Sequence, residues 1–381
     1  MSTPLILVGA GGMGRAWLQT ILDEPRAELA GVVDLDMEAA RAALAEAGRP
    51  DVPVGADAVA LAERTGAQAV VNVTIPRAHH PVTTAALTAG LPVLGEKPVA
   101  DTLPRALSLA AASEVTGQLF MVSQSRRYNQ QLFTLRAQAR GLGAPGALVT
   151  EFFKAPRFGG FRERMVHPLL VDMAIHPFDA ARFLLDAEPV SVYCEEFNPP
   201  WSWYDGDAAA SAIFEMEGGS RFVYTGSWCS PGQETSWNGS WRLSAEHGTA
   251  VWDGEEAPVA DAPDRAPEAV SGRFGDADAD ADDGAVAPGE GIAGALVEFL
   301  DALEAGPGGT APMGEVHQNI MSLAMVEAAV ESASRGGRVR VDEVLDNAWR
   351  QALAIESRGD VRARLAAWPS AREALAPPAR V

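Results

Sequence analysis

The sequence predicts two domains: an α/β domain on a doubly wound parallel sheet, then an α+β domain with a large, mostly antiparallel sheet. Three observations carry this reading. The first third alternates short apolar runs with helical patterns, the middle strings apolar runs together with one helix among them, and 381 residues exceed what a single core ordinarily serves. The expected divisions are residues 1–125, residues 126–368 with an acidic low-complexity loop at about 253–291, and a tail, 369–381.

In the first domain, Leu5 to Val8 is apolar and leads through a glycine turn into a helix from about Met13 to Leu22. Then follow a strand over Leu29 to Asp34, a helix over Met37 to Ala47, a strand over Ala69 to Thr74 and a helix over His80 to Ala89. Pro92 to Leu94 is the next strand, Leu103 to Thr116 the next helix and Leu119 to Ser123 the last strand. Strands alternating with helices require crossovers and hence parallel pairing, and fully apolar strands suit a sheet covered on both faces.

After about Ser125 the texture changes. Ala147 to Lys154, Val190 to Phe197, Ala208 to Met216, Ser220 to Trp228, Ser240 to Ala245 and Thr249 to Trp252 read as strands separated by turn residues. A helix over Pro168 to Leu185 interrupts them, and two more, Ile292 to Leu303 and Glu315 to Ser334, follow. Between them lies Asp276 to Asp283, alternating Asp with Ala. It lacks the glutamate spacing of a calcium loop and reads as a solvated acidic run.

With 51 acidic against 30 basic residues, the net charge of -21 offers no footprint for nucleic acid or an anionic membrane. Apolar residues at 47% and charged residues at 21% exclude global disorder. Two cysteines, Cys194 and Cys229, make neither a disulfide framework nor a structural zinc cluster. The N-terminus lacks a basic, then apolar, leader, and no window approaches the roughly 20 apolar residues of a spanning helix, so a cytoplasmic protein is expected.

Gly9-Ala10-Gly11-Gly12-Met13-Gly14 follows the first strand and opens the first helix, the context a G-x-G-x-x-G dinucleotide fingerprint requires. The glycines allow a tight turn and close approach of a pyrophosphate, whose charge the helix start favours. Asp34 ends the second strand, 20 residues after Gly14, where a carboxylate accepts from the adenosine ribose and repels a ribose phosphate. Asp36 is placed to cap the next helix. Together these predict a Rossmann domain and NAD rather than NADP.

Glu96-Lys97-Pro98 directly after the strand Leu91 to Leu94, and Asp172-Met-Ala-Ile-His176 in the second domain, complete the pattern. With the glycine motif they resemble the Gfo/Idh/MocA oxidoreductases (glucose–fructose oxidoreductase, inositol dehydrogenase and relatives) over most of the chain. Where that family commonly reads Thr-Pro-Asn, this chain has Thr74-Ile75-Pro76-Arg77, with His79 and His80 following. The resemblance implies that Thr74, Pro76, His79, Glu96 and Lys97 belong to the cofactor site, that Lys97, Asp172 and His176 act on a substrate carbinol, and that the open sheet pairs subunits into a homodimer or homotetramer.

Independently, Asp172 and His176, four apart, share a face of an α-helix, and imidazole titrates near working pH. His176 is thus the candidate acid/base, Lys97 a donor to a developing alkoxide, and Asp172 a support for His176 or a substrate ligand. Tyr128, Lys154 and Arg157 are candidate substrate contacts. A zinc site from Asp172, His176, His167 and His79 has no recognised ligand spacing and is set aside. Six of nine tryptophans fall between Trp201 and Trp252; packing is their ordinary use, with Trp201-Ser202-Trp203-Tyr204 the candidate sugar-stacking exception. The expectation is an NAD-dependent oxidoreductase of a sugar, cyclitol or polyol secondary alcohol. A redox-neutral glycoside-cleaving enzyme and a sugar- or nucleotide-sensing regulator are the rivals.

Overall fold

The computed structural model describes residues 2–263 and 287–376; the run Asp276 to Asp283 lies outside the described residues. The chain forms two compact units. The first comprises Met1–Ser125, Pro288–Ile320 and Leu345–Val381, and the second Arg126–Ala287 and Met321–Val344. The chain therefore passes from one unit to the other more than once, where a single passage was expected.

The first unit holds β1 (Thr3–Val8), α1 (Gly12–Asp23), β2 (Ala27–Val33), α2 (Met37–Glu46), β3 (Val54–Gly55), α3 (Ala58–Thr65), β4 (Ala69–Asn72), α4 (Pro76–Thr88), β5 (Val93–Glu96), α5 (Leu103–Thr116) and β6 (Phe120–Ser123). Its strands pair in parallel in the order β3-β2-β1-β4-β5-β6. Chain order reverses between β1 and β4, the switch point where such sheets open a crevice beyond the strands' carboxyl ends. Every residue of β4, β5 and β6 is buried, as a sheet covered on both faces demands. The sequence reading passed over β3 and α3. Yet α3 carries plain end signals: Asp57 accepts the Ala60 amide at 2.8 Å, and Gly66 closes the helix at φ +71°.

The second unit holds α6 (Gln130–Gly141), β7 (Pro145–Phe153), α7 (Ile175–Leu185), β8 (Pro189–Phe197), β9 (Ala209–Met216), β10 (Arg221–Ser227), β11 (Ser240–Ala245), β12 (Gly248–Trp252) and β13 (Val259–Asp261). Later come α8 (Gly291–Ala305), α9 (Val316–Arg335), β14 (Val339–Arg340), α10 (Val341–Ile355), α11 (Gly359–Ala366) and α12 (Ala371–Leu375). Of these, α8, α11 and α12 belong wholly to the first unit, β14 to the second, and the division falls inside α9 and α10. The eight strands run β13-β12-β11-β7-β10-β9-β8-β14, antiparallel except for the β7–β10 pair. Residues 369–376, expected as a loose tail, include the capped helix α12, whose Ala371 and Leu375 are buried.

All of α7 is buried, and its faces have different tasks. Phe178 meets the sheet, its ring 4.8 Å from Phe214, 5.9 Å from Phe222 and 5.3 Å from Tyr224 in edge-to-face contacts. Asp179 and Arg182 enter a polar network. Arg127 donates from Nε and Nη2 to the two Asp179 oxygens at 2.8 and 2.6 Å, and the Ser322 hydroxyl of α9 donates to Asp179 at 2.7 Å. Arg182 in turn donates to Ser322 at 2.8 Å and to Glu188 through Nε at 2.7 Å and Nη2 at 2.5 Å.

Two cations and two carboxylates balance the network, which is what permits burial. Asp179→Ala leaves Arg127 buried without its counter-ion. Urea unfolding is expected to show a loss of about 3–5 kcal/mol; a loss below about 1 kcal/mol contradicts this account.

Candidate functional site

In the first unit the carboxyl ends of β1, β2, β4 and β5 deliver Gly9, Asp34, Thr74 and Lys97 to one edge of the sheet. The glycines divide the work. Gly9 sits at φ +105°, and a Cβ there would meet the Val73 carbonyl oxygen at 2.7 Å; one on Gly14 would lie 2.1 Å from the Gly9 carbonyl oxygen. These two serve the protein's own packing. By contrast, Cβ atoms on Gly11 and Gly12 would meet nothing within 4 Å. That vacant space lies at the start of α1, whose N-cap Gly11 supplies no side chain to the first amides. Here α1 offers unclaimed N–H donors and the positive end of its dipole, as a pyrophosphate requires. Met13 beside them is half-exposed.

Asp34 accepts from the Ala10 amide at 2.7 Å and the Asp36 amide at 2.9 Å, which ties the end of β2 to the glycine turn. Asp36 accepts from the Ala39 amide at 3.0 Å and caps α2, as expected. The residues fit a dinucleotide, which Gly9, Gly11, Gly12, Met13 and Gly14 would cradle and whose ribose Asp34 would meet.

Other predicted cofactor residues hold the loops in place. Pro76 opens α4, and Arg77 is exposed. Thr74 donates its hydroxyl to Asn72 at 2.7 Å, and Asn72 donates to Thr83 at 3.1 Å. His79 is 2% exposed, with Nδ1 2.7 Å from the Pro98 carbonyl oxygen and Nε2 2.9 Å from that of Thr74. A neutral ring has one N–H for these two acceptors, and burial holds its pKa below the usual histidine range. His79 thus sits between the loops that follow β4 and β5 and donates to one of the two carbonyls, a structural task the sequence reading missed. Glu96, also buried, accepts from the Trp17 indole at 2.8 Å and the Lys97 amide at 3.2 Å; burial raises its pKa. It fixes the end of β5 to α1, and so fixes where Lys97 leaves the strand.

The expected helix over Pro168 to Leu185 is two kinds of helix: residues Leu169–Ala174 wind as a π-helix and α7 follows. Pro177 supplies a cause, since it has no amide hydrogen to return to Met173 and its ring crowds that carbonyl. The four-residue step from Asp172 to His176 thus crosses the junction between the two kinds of helix. Asp172 accepts from Arg162 Nε at 2.7 Å, and His176 is 7% exposed. Met173, His176, Pro177 and Ala180 line a narrow cleft in this unit, faced by Arg126, Trp237 and Asn238.

Of the predicted substrate residues, Tyr128 is 1% exposed. Lys154 donates to Glu234 at 3.0 Å and lies 5.2 Å from the Trp237 ring centre, while exposed Arg157 stacks on Trp203 at 3.9 Å. Trp203 thus has a guanidinium on it, Trp201 donates to the Cys229 carbonyl at 2.9 Å, and Tyr204 is buried. Cys194 and Cys229 are buried free thiols.

Among the described residues, one trio could offer ligand atoms within 4.8 Å of one another: His167, Glu196 and Asp207. His167 Nδ1 already bonds Glu196 at 2.6 Å, which raises the imidazole's pKa and accounts for the grouping without an ion. No described helix is long and apolar enough to cross a membrane.

A profile described as oxidoreductase family, NAD-binding Rossmann fold, matches residues 5–124, and one described as Gfo/Idh/MocA C-terminal domain matches residues 153–251. The cradle and the sheet order thus belong to a NAD-binding oxidoreductase. More particularly, the chain is a member of the Gfo/Idh/MocA family. The uncharacterised protein y4oX of Sinorhizobium fredii is 30% identical over 376 residues, covering 93% of this chain and 100% of that one. Inositol 2-dehydrogenase 4 of Saccharopolyspora erythraea is 33% identical over 190 residues, 49% of this chain and 55% of that relative; the match thus spans little more than half of it.

An oxidoreductase from Agrobacterium radiobacter, solved with NAD+, L-tartaric acid and magnesium, superposes with a TM-score of 0.75 at 19% identity over 91% of this chain and 100% of that one. A putative myo-inositol dehydrogenase from Sinorhizobium meliloti 1021 gives 0.69 at 19% identity over 89% and 100%. These likenesses establish the fold.

The space beside Gly11 makes a sharp prediction. Gly11→Ala is expected to change folding stability by less than about 0.5 kcal/mol while weakening NAD about tenfold or more. Gly14→Ala, which meets backbone, is expected to lower stability by about 1–3 kcal/mol. Equal NAD affinity for Gly11→Ala and the parent in a calorimetric titration contradicts the cradle.

Proposed function

We propose that the protein is a dehydrogenase that oxidises a secondary alcohol of a sugar, cyclitol or related polyol, with NAD preferred over NADP. The observation that carries the reading is the glycine cradle with Asp34 at the end of β2, in a family whose named relatives include inositol 2-dehydrogenases. Bound NAD supplies the two-electron acceptor. The chain's own residues manage the proton and the developing charge.

His176, on α7, takes the carbinol proton, which imidazole can do near neutral pH. Lys97, held where β5 ends by the Glu96–Trp17 bond, donates a hydrogen bond to the oxygen as charge grows on it. Asp172, oriented by Arg162, accepts from a substrate hydroxyl. The sheet face opposite Phe178, where Ile213 and Val251 are exposed, suits self-association, which extends the proposal to a homo-oligomer.

The test mixes purified protein with NAD or NADP and a panel of inositols, aldoses and sugar acids, following NADH absorbance. NADH appearing with one substrate group, and far less NADPH, is expected. His176→Ala should lower turnover about 100-fold or more with NAD affinity unchanged, and Asp34→Ala should erase the preference for NAD over NADP. An active His176→Ala variant sinks its role, and silence across the whole panel sinks the dehydrogenase.

A further inference from the structure

Many basic side chains of the second unit are neutralised by carboxylates, whereas Arg126, Arg157, Arg164, Arg242 and Arg338 form no ion pair among the described residues. Arg127 has Asp179, Lys154 has Glu234, Arg162 has Asp172 and Arg182 has Glu188. Of the five without an ion pair, Arg126 is set apart by its place beside His176. It lines the His176 cleft, yet no described carboxylate lies at ion-pair distance from it. Its guanidinium donates from Nη1 to the neutral amide oxygen of Asn238 at 3.0 Å and lies 5.8 Å from the Trp237 ring centre. Glu255 acts on it only through space, and that carboxylate already accepts the Ser236 hydroxyl at 2.5 Å. Burial draws the Arg126 pKa down to about 10, so it stays cationic at neutral pH while poorly solvated. Arg157, which likewise lacks an ion pair, is exposed and lies on Trp203 instead.

Asn238 is itself fixed. Its Nδ2 donates to the Gly254 carbonyl at 2.8 Å and its amide to Ser236 at 3.0 Å, so its oxygen is held toward Arg126. A guanidinium carries five N–H donors in a planar fork, and this pairing uses one of them. The remainder suit an oxyanion, with which such a fork makes short, charge-assisted, often bidentate bonds. In a chain of net charge -21, a half-buried cation without a counter-ion is costly unless a ligand supplies one. Beside it, Trp237 is 40% exposed and offers a flat apolar wall to a sugar ring.

We infer that Arg126, oriented by Asn238, is the receptor for an anionic group on the substrate, so that the protein's preferred polyol carries a carboxylate or phosphate. The inference rests on the proposal that His176, on the same cleft, acts on that substrate.

The experiment titrates D-gluconate, D-glucitol 6-phosphate and D-glucitol calorimetrically into protein saturated with NADH, which blocks turnover of these alcohols. At least one anion should bind about tenfold or more tightly than glucitol, with a preference that shrinks as salt is added. Which anion wins names the group. Arg126→Gln should bring the anion-to-neutral ratio close to one, and Arg126→Lys should keep part of it. Asn238→Asp, which gives Arg126 an internal counter-ion, should abolish it too, so a folding defect in one variant does not decide the matter.

Equal binding of charged and neutral ligands, no binding of either anion at millimolar concentration, or a preference that survives both Arg126→Gln and Asn238→Asp overturns the subsite. If neutral polyols nevertheless yield NADH, the dehydrogenase stands without it. If the preference appears and falls in the variants while no substrate yields NADH, the subsite stands and the dehydrogenase does not.

Discussion

The carboxylate of Asp179 is the constraint on which the substrate-side chemistry depends. It is 1% exposed and gathers the guanidinium of Arg127, which follows β6 in the chain, and the hydroxyl of Ser322, from α9. A buried ion pair of this kind adds little net stability, because desolvation offsets most of its attraction. What it provides is orientation. With Asp179 and Arg182 committed to the network and Phe178 wedged among Phe214, Phe222 and Tyr224, α7 has no rotational freedom left. The face carrying Met173, His176, Pro177 and Ala180 is thereby fixed toward the cleft. The π-helical turn before it carries Asp172, which accepts from Arg162.

The first unit shows the complementary logic, in which backbone rather than side chains does the positioning. Gly9 and Gly14 let strand and helix close on one another, Gly11 and Gly12 leave room at the head of α1, and Asp34 ties the next strand to that turn. Glu96, accepting from Trp17 and from the Lys97 amide, then fixes the loop that follows β5, and His79 is buried between that loop and the one after β4. Buried polar groups that are fully bonded in this way specify a single loop arrangement, and each becomes costly if its partner is removed.

Much of this was legible in the residues because the relevant physics is local. The glycine motif, the apolar strands and the acid after β2 fall within a span in which periodicity and turn chemistry decide structure. Strand β11, over Ser240–Ala245, and α5, over Leu103–Thr116, lie at the limits the pattern sets. Long-range pairings were not legible. Nothing near Asp179 announces Arg127, 52 positions away in the chain, or Ser322, 143 away. Nor does an amphipathic pattern in α11 say that it will pack on α5. Some signals were present and unread. Pro177 within the helix foretold a distorted turn, Asn129 foretold α6 by accepting the Gln131 and Leu132 amides, and Asp57 with Gly66 bracketed α3. Arg126, side by side with Arg127, had no local mark to separate a ligand's partner from a buried structural one.

The claim at the centre of this account is that the protein moves the hydrogen of a carbinol carbon to NAD. The most direct test uses the polyol that reduces NAD best, deuterated at its ring or chain carbons, and weighs the NADH formed by mass spectrometry. The account predicts NADH heavier by one deuterium, and slower turnover than with the unlabelled polyol if that transfer limits the rate. NADH without the label, or a deuterated product formed with no NADH at all, would contradict it.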